Sequence, residues 1–216
     1  MKQFICVAGN IGSGKTTVAN LLSQVFSLRK FEEEVEDNPY LALFYADMHK
    51  WSYRLQRYFL LTRALMHEKI NMMKESAILD RTIYEDMEVF AKNQLYMQLW
   101  TQEEYDKYKK FCSLLITELR PPDLIICLHA SVPILRARIR KRNREYEKDL
   151  TNEDDQYLPA LQKLYDSWFT AYNLGPKLLV KTDSLNFIDN PEHIERLIKA
   201  VKASLEARGN TLKKFF

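Results

Sequence analysis

Apolar residues follow two patterns along the chain. Short continuous apolar runs bounded by polar or turn-forming residues are typical of strands buried on both faces. Four such runs are predicted strands, Phe4–Ala8, Ala77–Leu79, Leu124–Leu128 and Leu178–Val180, and Lys30–Phe31 is predicted as a fifth. Each is followed by a longer segment with helical periodicity. The alternation predicts an α/β fold in which a five-stranded parallel sheet carries helices on both faces.

Capping and turn residues place several helices. A long helical pattern starts at Asn38-Pro39 and continues towards Ile70, and Thr82–Glu85 has the spacing of a capping box, which predicts a helix start at Thr82. Ser131–Pro133 opens another helix, with proline in its first turn. Gly175-Pro176 is predicted to end a helix over residues 157–173.

Composition narrows the class of protein. The chain has 216 residues and no domain-sized linker, so we predict a single domain over residues 1–216. The net charge of +3 is too small to imply nucleic-acid binding by itself. No apolar run approaches the roughly 18 residues of a membrane span, and the first strand begins too close to Met1 for a secretory signal. Three widely spaced cysteines in or near apolar stretches are predicted to be reduced and buried. We therefore expect a cytoplasmic protein.

The first strand ends in a glycine-rich stretch that matches G-x-x-x-x-G-K-[ST]. Backbone N–H groups of such a loop turn towards phosphate oxygens, the lysine reaches the β- and γ-phosphates, and the Thr16 hydroxyl can bind Mg²⁺. The alternative is a glycine-rich turn without a ligand, which the strand before it and the helix after it disfavour. A P-loop NTPase-type three-layer fold is predicted. The candidate nucleotide-binding residues are Gly9, Asn10, Ile11, Gly12, Ser13, Gly14, Lys15, Thr16 and Thr17.

The residues after another strand indicate what happens to the γ-phosphoryl group. A GTPase switch would need Asn-Lys-x-Asp, which the sequence lacks, and a motor ATPase would carry a strand ending in Asp-Glu. The strand Ala77–Leu79 is followed instead by Asp80 and Arg81. A carboxylate beside a guanidinium suits phosphoryl transfer, because Mg²⁺ and a cation then share the developing charge.

An acidic segment follows the predicted second strand and is a candidate acceptor site. Its carboxylates lie at the carboxyl edge of the sheet, where the phosphate loop is also expected. One of them can take the proton of an acceptor hydroxyl. A solvated acidic loop is the alternative, and composition alone favours it. The carboxylates are Glu32, Glu33, Glu34, Glu36 and Asp37.

The next helix carries Trp51, Gln56 and Arg63. Gln56 and Arg63 are two turns apart and share a face. A glutamine amide can pair with the edge of a nucleobase, on which aromatic residues can stack. An ordinary helix with polar residues on its surface is the alternative.

Five arginines alternate along residues 136–144. We predict that this segment forms a lid over about residues 136–150 that closes on a triphosphate. A nucleic-acid patch and a solvated helix are alternatives, against which the low net charge counts. The arginines are Arg136, Arg138, Arg140, Arg142 and Arg144.

Together these motifs resemble the deoxynucleoside kinase family, and within it the bacterial deoxyadenosine/deoxyguanosine and deoxycytidine/deoxyadenosine kinases. The likeness runs from the phosphate loop to about Asp183 and includes Val35–Tyr40, Tyr45, Trp51 with Gln56, Asp80–Asp86 and the arginine-rich segment. It implies transfer from ATP, or another nucleoside triphosphate, with Mg²⁺, to the 5′-hydroxyl of a deoxynucleoside. It also implies a homodimer formed through helices. Asn143 stands where glycine is frequent, but asparagine tolerates the left-handed backbone conformation.

The resemblance also assigns catalytic roles. Glu33 matches the glutamate of a Glu-Pro-Val motif that accepts the proton of the 5′-hydroxyl, although Glu34 replaces the proline here. Asp80 and Arg81 match a Glu/Asp-Arg-Ser motif that assigns the carboxylate to Mg²⁺ and the arginine to phosphate and the acceptor hydroxyl. Lys15, Glu33 and Arg81 are thus the predicted catalytic residues, and the lid residues Arg138, Arg140, Arg142 and Arg144 hold the nucleotide.

Five further residues are implied to bind the acceptor. Tyr45 and Glu147 match positions that hold the sugar 3′-hydroxyl, and Gln56 matches the glutamine that reads the base. Arg63 and Asp86 match a pair found in members that prefer cytidine or purines. A deoxyadenosine kinase is therefore the first expectation, with deoxyguanosine or deoxycytidine as further acceptors and thymidine disfavoured.

Three other functions compete with this hypothesis. A nucleoside-monophosphate kinase would need a second arginine cluster for the acceptor phosphate, and residues 33–63 have no arginine-rich run like that at 136–144. A nucleotide sensor without transfer activity needs only the phosphate loop, and an RNA-binding protein would use residues 136–144. We expect neither a nucleic-acid partner nor a membrane.

Overall fold

A computed structural model describes residues 2–32 and 38–207, together with the backbone of residues 213–215. Its strands form one parallel sheet in the order β2-β3-β1-β4-β5-β6. The predicted α/β class and all five predicted strands are confirmed. The sixth, at the sheet edge, has the sequence Lys-Lys-Phe and so lacks the apolar run that marks a strand. The strands are β1 Phe4–Gly9, β2 Arg29–Phe31, β3 Ala77–Asp80, β4 Leu124–His129, β5 Lys177–Lys181 and β6 Lys213–Phe215.

Helices connect the strands. None of those in the described part of the chain is long and apolar enough to cross a bilayer. The predicted helix start after Ser131 is confirmed, and the helix predicted over residues 157–173 ends at Ala171. The α-helices are α1 Lys15–Val25, α2 Leu41–Ala46, α3 Met48–Met72, α4 Lys92–Tyr96, α5 Gln102–Thr117, α6 Val132–Arg142, α7 Tyr157–Ala171 and α8 Pro191–Glu206. Two 3₁₀ turns, Ile83–Glu85 and Glu145–Thr151, and a π-helix, Asp86–Ala91, complete them.

Two segments differ in detail from the prediction. The long helix expected between Asn38 and Ile70 is divided into α2 and α3 at Asp47, whose backbone is extended at φ −152°. The Asp47 side chain accepts a hydrogen bond from the Lys50 N–H (3.1 Å) and so caps α3. The capping box at Thr82 is confirmed, but it opens a 3₁₀ turn that continues as a π-helix.

The sheet is covered on both faces, as predicted. Ile5 and Val7 of β1 pack with α1 and α8, whereas Phe4, Cys6 and Ala8 pack with α3, α5 and α7. Because β1 is an inner strand that is buried on both faces, its residues form a near-continuous apolar run. Cys6, Cys112 and Cys127 are buried free thiols, as predicted, and burial raises the pKa of Cys112 to about 12.

The strand register brings two functional segments together. Val7 of β1 is paired with Asp80 of β3, and the Arg81 N–H donates to the Val7 carbonyl at 2.8 Å. The phosphate loop leaves the sheet two residues after Val7. The loop and the Asp80-Arg81 pair therefore lie side by side at the carboxyl edge.

Candidate active site

The phosphate loop is built on glycines that no larger residue could replace. Gly9 has φ +142°, and a β-carbon there would lie 2.5 Å from the Leu128 carbonyl oxygen. Gly12 has φ +81°, and its β-carbon would lie 2.9 Å from the Leu135 carbonyl oxygen. Both positions need a left-handed or glycine-only backbone and close packing. The loop thus rests on β4 and α6.

Side chains of the loop hold its shape from within. Lys15 Nζ donates to the carbonyl oxygens of Gly9 (3.0 Å) and Asn10 (2.9 Å), so its charge lies over the loop. Asn10 Oδ1 accepts from the Ile11 N–H (2.8 Å), and Asn10 Nδ2 donates to the Leu158 carbonyl oxygen on α7 (3.2 Å). The loop therefore holds a positive charge at the position where phosphate is predicted to bind.

The two predicted magnesium ligands are neighbours. Thr16 lies in the first turn of α1 and Asp80 at the end of β3, and Thr16 Oγ1 donates to Asp80 Oδ2 at 2.6 Å. A hydroxyl and a carboxylate are the oxygen ligands that Mg²⁺ prefers, and nucleotide phosphates usually complete its shell. The residues present therefore fit the ion.

Arg81 adopts a strained backbone conformation beside this pair. Its φ is +78°, which is rare for a residue with a β-carbon and is common at functional sites. The Arg81 guanidinium carbon lies 4.7 Å from the centre of the Phe90 ring, and Nη1 donates to the Tyr165 hydroxyl at 3.0 Å. Arg81 lines the cleft described next.

A cleft of about 950 Å³ joins the phosphate loop to the predicted acceptor residues. Its size is in the range of small-molecule sites. The phosphate loop, α3, Arg81 and the arginine-rich segment surround it, and the segment 185–189 after β5 forms a further wall. The phosphate loop and the residues predicted to bind the acceptor therefore share one cleft.

The acceptor end of the cleft contains buried polar groups. Gln56 and Arg63 both lie on α3, are 2% exposed and line the cleft. Arg63 forms an ion pair with fully buried Asp86 and packs over the Phe59 ring at 4.7 Å. Within the described part of the chain, Gln56 Oε1 accepts no hydrogen bond. Buried polar atoms are normally hydrogen-bonded, so the Gln56 amide differs from an ordinary core side chain.

The residues predicted to hold the 3′-hydroxyl lie at the lid. The Tyr45 ring stacks on the Tyr146 ring with centroids 5.7 Å apart, and burial raises the pKa of Tyr45 well above its usual range, so its hydroxyl stays a donor. Glu147 is 4% exposed. Its Oε2 accepts from Arg142 Nε (3.0 Å) and Nη2 (2.6 Å).

The arginines predicted to form the lid differ in their position relative to the cleft. Arg138 donates to the carbonyl oxygen of Ser13 (3.2 Å) and to that of Thr182 (2.6 Å), and it lines the cleft with Arg142 and Arg144. Arg140, by contrast, donates to the Thr151 carbonyl oxygen (2.7 Å) and is not part of the cleft wall. Arg138 and Arg142 are about one turn apart on α6, whereas Arg140 is two residues from each and points to the opposite side.

The remaining predicted residues differ in their position relative to the cleft. Asn143 has φ +55°, the left-handed conformation expected of it. Asp86 lies behind Arg63 and does not line the cleft itself. The predicted base Glu33 lies outside the described residues, as do Glu34, Glu36 and Asp37, whereas Glu32 lines the cleft.

Some residues at the site were not predicted. Lys141 and Tyr157 line the cleft, and Tyr165 and Glu85 contact Arg81 from behind. Tyr157 and Tyr165 lie on the apolar face of α7 and so have the pattern of core residues. Lys141 could have been predicted as a cleft residue, because it belongs to the arginine-rich segment.

The geometry is that of a nucleotide-dependent phosphotransferase: a phosphate loop opens onto a cleft lined by buried polar side chains. Residues 5–206 match the family model described as "Deoxynucleoside kinase", so the chain belongs to the deoxynucleoside kinase family. The chain is accordingly an enzyme, an ATP-dependent deoxynucleoside 5′-kinase.

Individual relatives agree with this assignment. A deoxyguanosine kinase of Lactobacillus johnsonii is 34% identical over 213 residues, which cover 95% of this chain and 93% of the relative. A deoxyadenosine kinase of Lactobacillus acidophilus is 30% identical over 216 residues, which cover 97% and 100%. The solved structure of deoxyadenosine kinase from M. mycoides with bound dATP is similar, with a TM-score of 0.80, 28% identity and coverage of 93% and 100%.

Proposed function

We propose that this kinase acts first on deoxyadenosine, with deoxyguanosine and deoxycytidine as further acceptors, in nucleotide salvage. The observation that carries the proposal is the buried Gln56 amide beside the Arg63–Asp86 pair in the acceptor end of the cleft. The Gln56 oxygen accepts from an exocyclic amino group, and its NH₂ donates to a ring nitrogen. Adenine and cytosine present both groups side by side. Thymine can pair with the same amide through its N3–H and O4, so the selection against thymidine is assigned to the Arg63–Asp86 pair.

The other residues are proposed to act on the phosphates and the sugar. Lys15, Arg81 and the lid arginines hold the negative charge of the transferred group. Thr16 and Asp80 would hold Mg²⁺, which neutralises phosphate charge when it is bound. Glu33 takes the proton of the 5′-hydroxyl.

Two side chains fix the other end of the sugar. Tyr45 and Glu147 bind the 3′-hydroxyl, and the contact between Glu147 and Arg142 links the acceptor to the lid. Both side chains line the same cleft as Gln56, which supports a nucleoside lying along it.

A turnover panel tests the acceptor. The four natural deoxynucleosides and deoxyadenosine monophosphate are compared with ATP and Mg²⁺ by kcat/KM. Deoxyadenosine should be best and thymidine poorest. A preference for thymidine would refute the base assignment. Turnover of the monophosphate alone would favour a monophosphate kinase, and ATP binding without any product would favour a sensor.

A pair of variants tests whether Glu33 or Glu34 is the catalytic base. Glu33→Gln should lower kcat by roughly 100-fold or more while deoxynucleoside binding is kept. Glu34→Gln is the matched control and should retain most of the turnover. If the two results were exchanged, Glu34 would be the base.

A homodimer is also proposed. Exposed apolar side chains on α3 and α5, Leu65 (65% exposed), Met72 (75%) and Leu114 (61%), support an interface through helices. Analytical ultracentrifugation of the chain and of Leu65→Glu tests this. We also propose that residues 1–216 form a single domain with a lid at about residues 136–150, and that the protein is cytoplasmic.

A further inference from the structure

Two side chains outside the cleft hold the guanidinium of Arg81. Arg81 Nη1 donates to the Tyr165 hydroxyl at 3.0 Å, and that hydroxyl donates in turn to Glu85 Oε2 at 2.8 Å. Arg81 Nη1 is also 3.6 Å from Glu85 Oε1. Tyr165 is 1% exposed and Glu85 is fully buried, and neither lines the cleft. The tyrosine hydroxyl therefore serves as acceptor and donor at once.

The Glu85 carboxylate is itself fixed. Its Oε1 accepts the Thr82 N–H at 3.1 Å, which is half of the capping box that follows Arg81. The contacts form a closed ring from Arg81 through Tyr165 and Glu85 to the backbone of the next residue. Strained backbone at Arg81, with φ +78°, persists only where surrounding contacts determine it. The ring supplies such contacts.

The helix that carries Tyr165 also holds the phosphate loop. Asn10 Nδ2 donates to the Leu158 carbonyl oxygen (3.2 Å) and to Gln162 Oε1 (3.3 Å). Positions 158, 162 and 165 have the i, i+4, i+7 spacing of one helix face. One face of α7 therefore sets the position of the phosphate loop and of Arg81 relative to each other.

We infer that Tyr165 is a positioning residue for Arg81, and that Glu85 orients its hydroxyl. The inference rests on the role proposed for Arg81 in phosphoryl transfer. A guanidinium stabilises the developing charge only when its donors are already aimed at the transferred group. Burial raises the pKa of Tyr165 well above its usual range, so the hydroxyl keeps its proton and both hydrogen bonds persist.

Tyr165→Phe removes the hydroxyl and keeps the ring. We expect kcat to fall roughly 10- to 100-fold, with the KM for deoxynucleoside within about twofold, because the loss is felt in the transition state. The matched control is Tyr172→Phe. Tyr172 directly follows α7 and is buried, and within the described residues its hydroxyl has no hydrogen-bond partner. The kcat of the Tyr172→Phe variant should be unchanged.

A double-mutant cycle separates positioning from general structural damage. In an Arg81→Ala background, Tyr165→Phe should change kcat by less than about twofold, because it has no guanidinium left to position. Glu85→Gln should lower kcat in the same direction as Tyr165→Phe but less, and it provides a second test if Tyr165→Phe folds poorly. Thermal unfolding of every variant is measured alongside.

Distinct results would overturn the inference. If Tyr165→Phe and Glu85→Gln kept wild-type kcat while Arg81→Ala lost activity, Tyr165 would not be a positioning residue, and the proposed function would stand. An equal loss in the presence and absence of Arg81 would also refute it. If Arg81→Ala kept wild-type turnover, or the wild type phosphorylated no deoxynucleoside, the inference would fall with the proposed role of Arg81.

Discussion

The two ends of the cleft are assembled in different ways. At the phosphate end, Lys15 contacts the backbone of its own loop and Thr16 bonds to Asp80 on the adjacent strand. At the predicted acceptor end, oppositely charged side chains neutralise one another. Asp86 pairs with Arg63, and Glu147 of the lid pairs with Arg142. Backbone carbonyls and the strand register organise the phosphate end, whereas ion pairs organise the other end.

This difference has a functional meaning. Changes at the phosphate end should affect every acceptor equally, because all acceptors use the same donor. Changes at the acceptor end should depend on which nucleoside is bound. Substitutions at each end test this division.

Lys15→Met should lower kcat/KM by roughly 1,000-fold, and by the same factor for deoxyadenosine and deoxycytidine, because a cation over the phosphates is lost. Steady-state kinetics with both nucleosides measures this. Lys141→Met is the control, since Lys141 lines the cleft from the lid but lies outside the phosphate loop. A loss confined to one nucleoside would contradict the division.

Asp86→Ala should destabilise the fold by about 3–5 kcal/mol, because it leaves the Arg63 charge buried without its carboxylate. Urea unfolding measures the change. Arg63→Met combined with Asp86→Leu should recover most of the stability and still alter acceptor preference. Equal stability of the single variant and the wild type would show that the pair does not support the acceptor end.

Glu147→Gln should lower kcat/KM for deoxyadenosine by about 10- to 100-fold, the cost of a lost hydrogen bond to a charged group. The loss should vanish with 2′,3′-dideoxyadenosine, which lacks the 3′-hydroxyl. The neighbouring Glu145→Gln, on an exposed side chain, is the control. A loss that is equal for both substrates would assign Glu147 to the lid alone.

His67 provides a test away from both ends. Its Nε2–H donates to the Arg120 carbonyl oxygen (2.7 Å), and burial lowers its pKa below the usual 6.5. The unfolded chain therefore binds the proton more readily, so folding stability should fall as the pH drops below about 6.5, by up to about 1.4 kcal/mol per pH unit. In His67→Gln this part of the slope should disappear. Parallel curves for the two proteins would refute the assignment.

Local sequence was enough to predict much of the fold and the phosphate end. A buried strand, glycines at fixed spacing, Lys15 and a following helix determine one backbone geometry within a few residues. The Asp80-Arg81 pair could be placed because parallel strands bring their carboxyl ends to one edge. The first prediction depended on local sequence, and the second on a general rule for parallel sheets.

Features set by tertiary contacts were not predictable in the same way. The apolar periodicity continues through the break at Asp47, so this pattern does not reveal the break. Only the Asp47 side chain, which caps α3, marks it. The role of Tyr165 was hidden, since a tyrosine on an apolar helix face has the pattern of a core residue. The orientation of Arg140 was within reach of the sequence, because it is two residues from Arg138 and Arg142 on one helix.

The close contact of Gly12 with α6 limits how the cleft can open. A β-carbon at Gly12 would lie 2.9 Å from the Leu135 carbonyl oxygen, and Arg138 ties the same helix to Ser13. The first two turns of α6 are thus anchored to the phosphate loop. We therefore expect a hinge no earlier than Asn143, which has a left-handed backbone conformation. When a nucleoside enters, only the short segment after Asn143 should move, and the contacts between α6 and the phosphate loop should be kept.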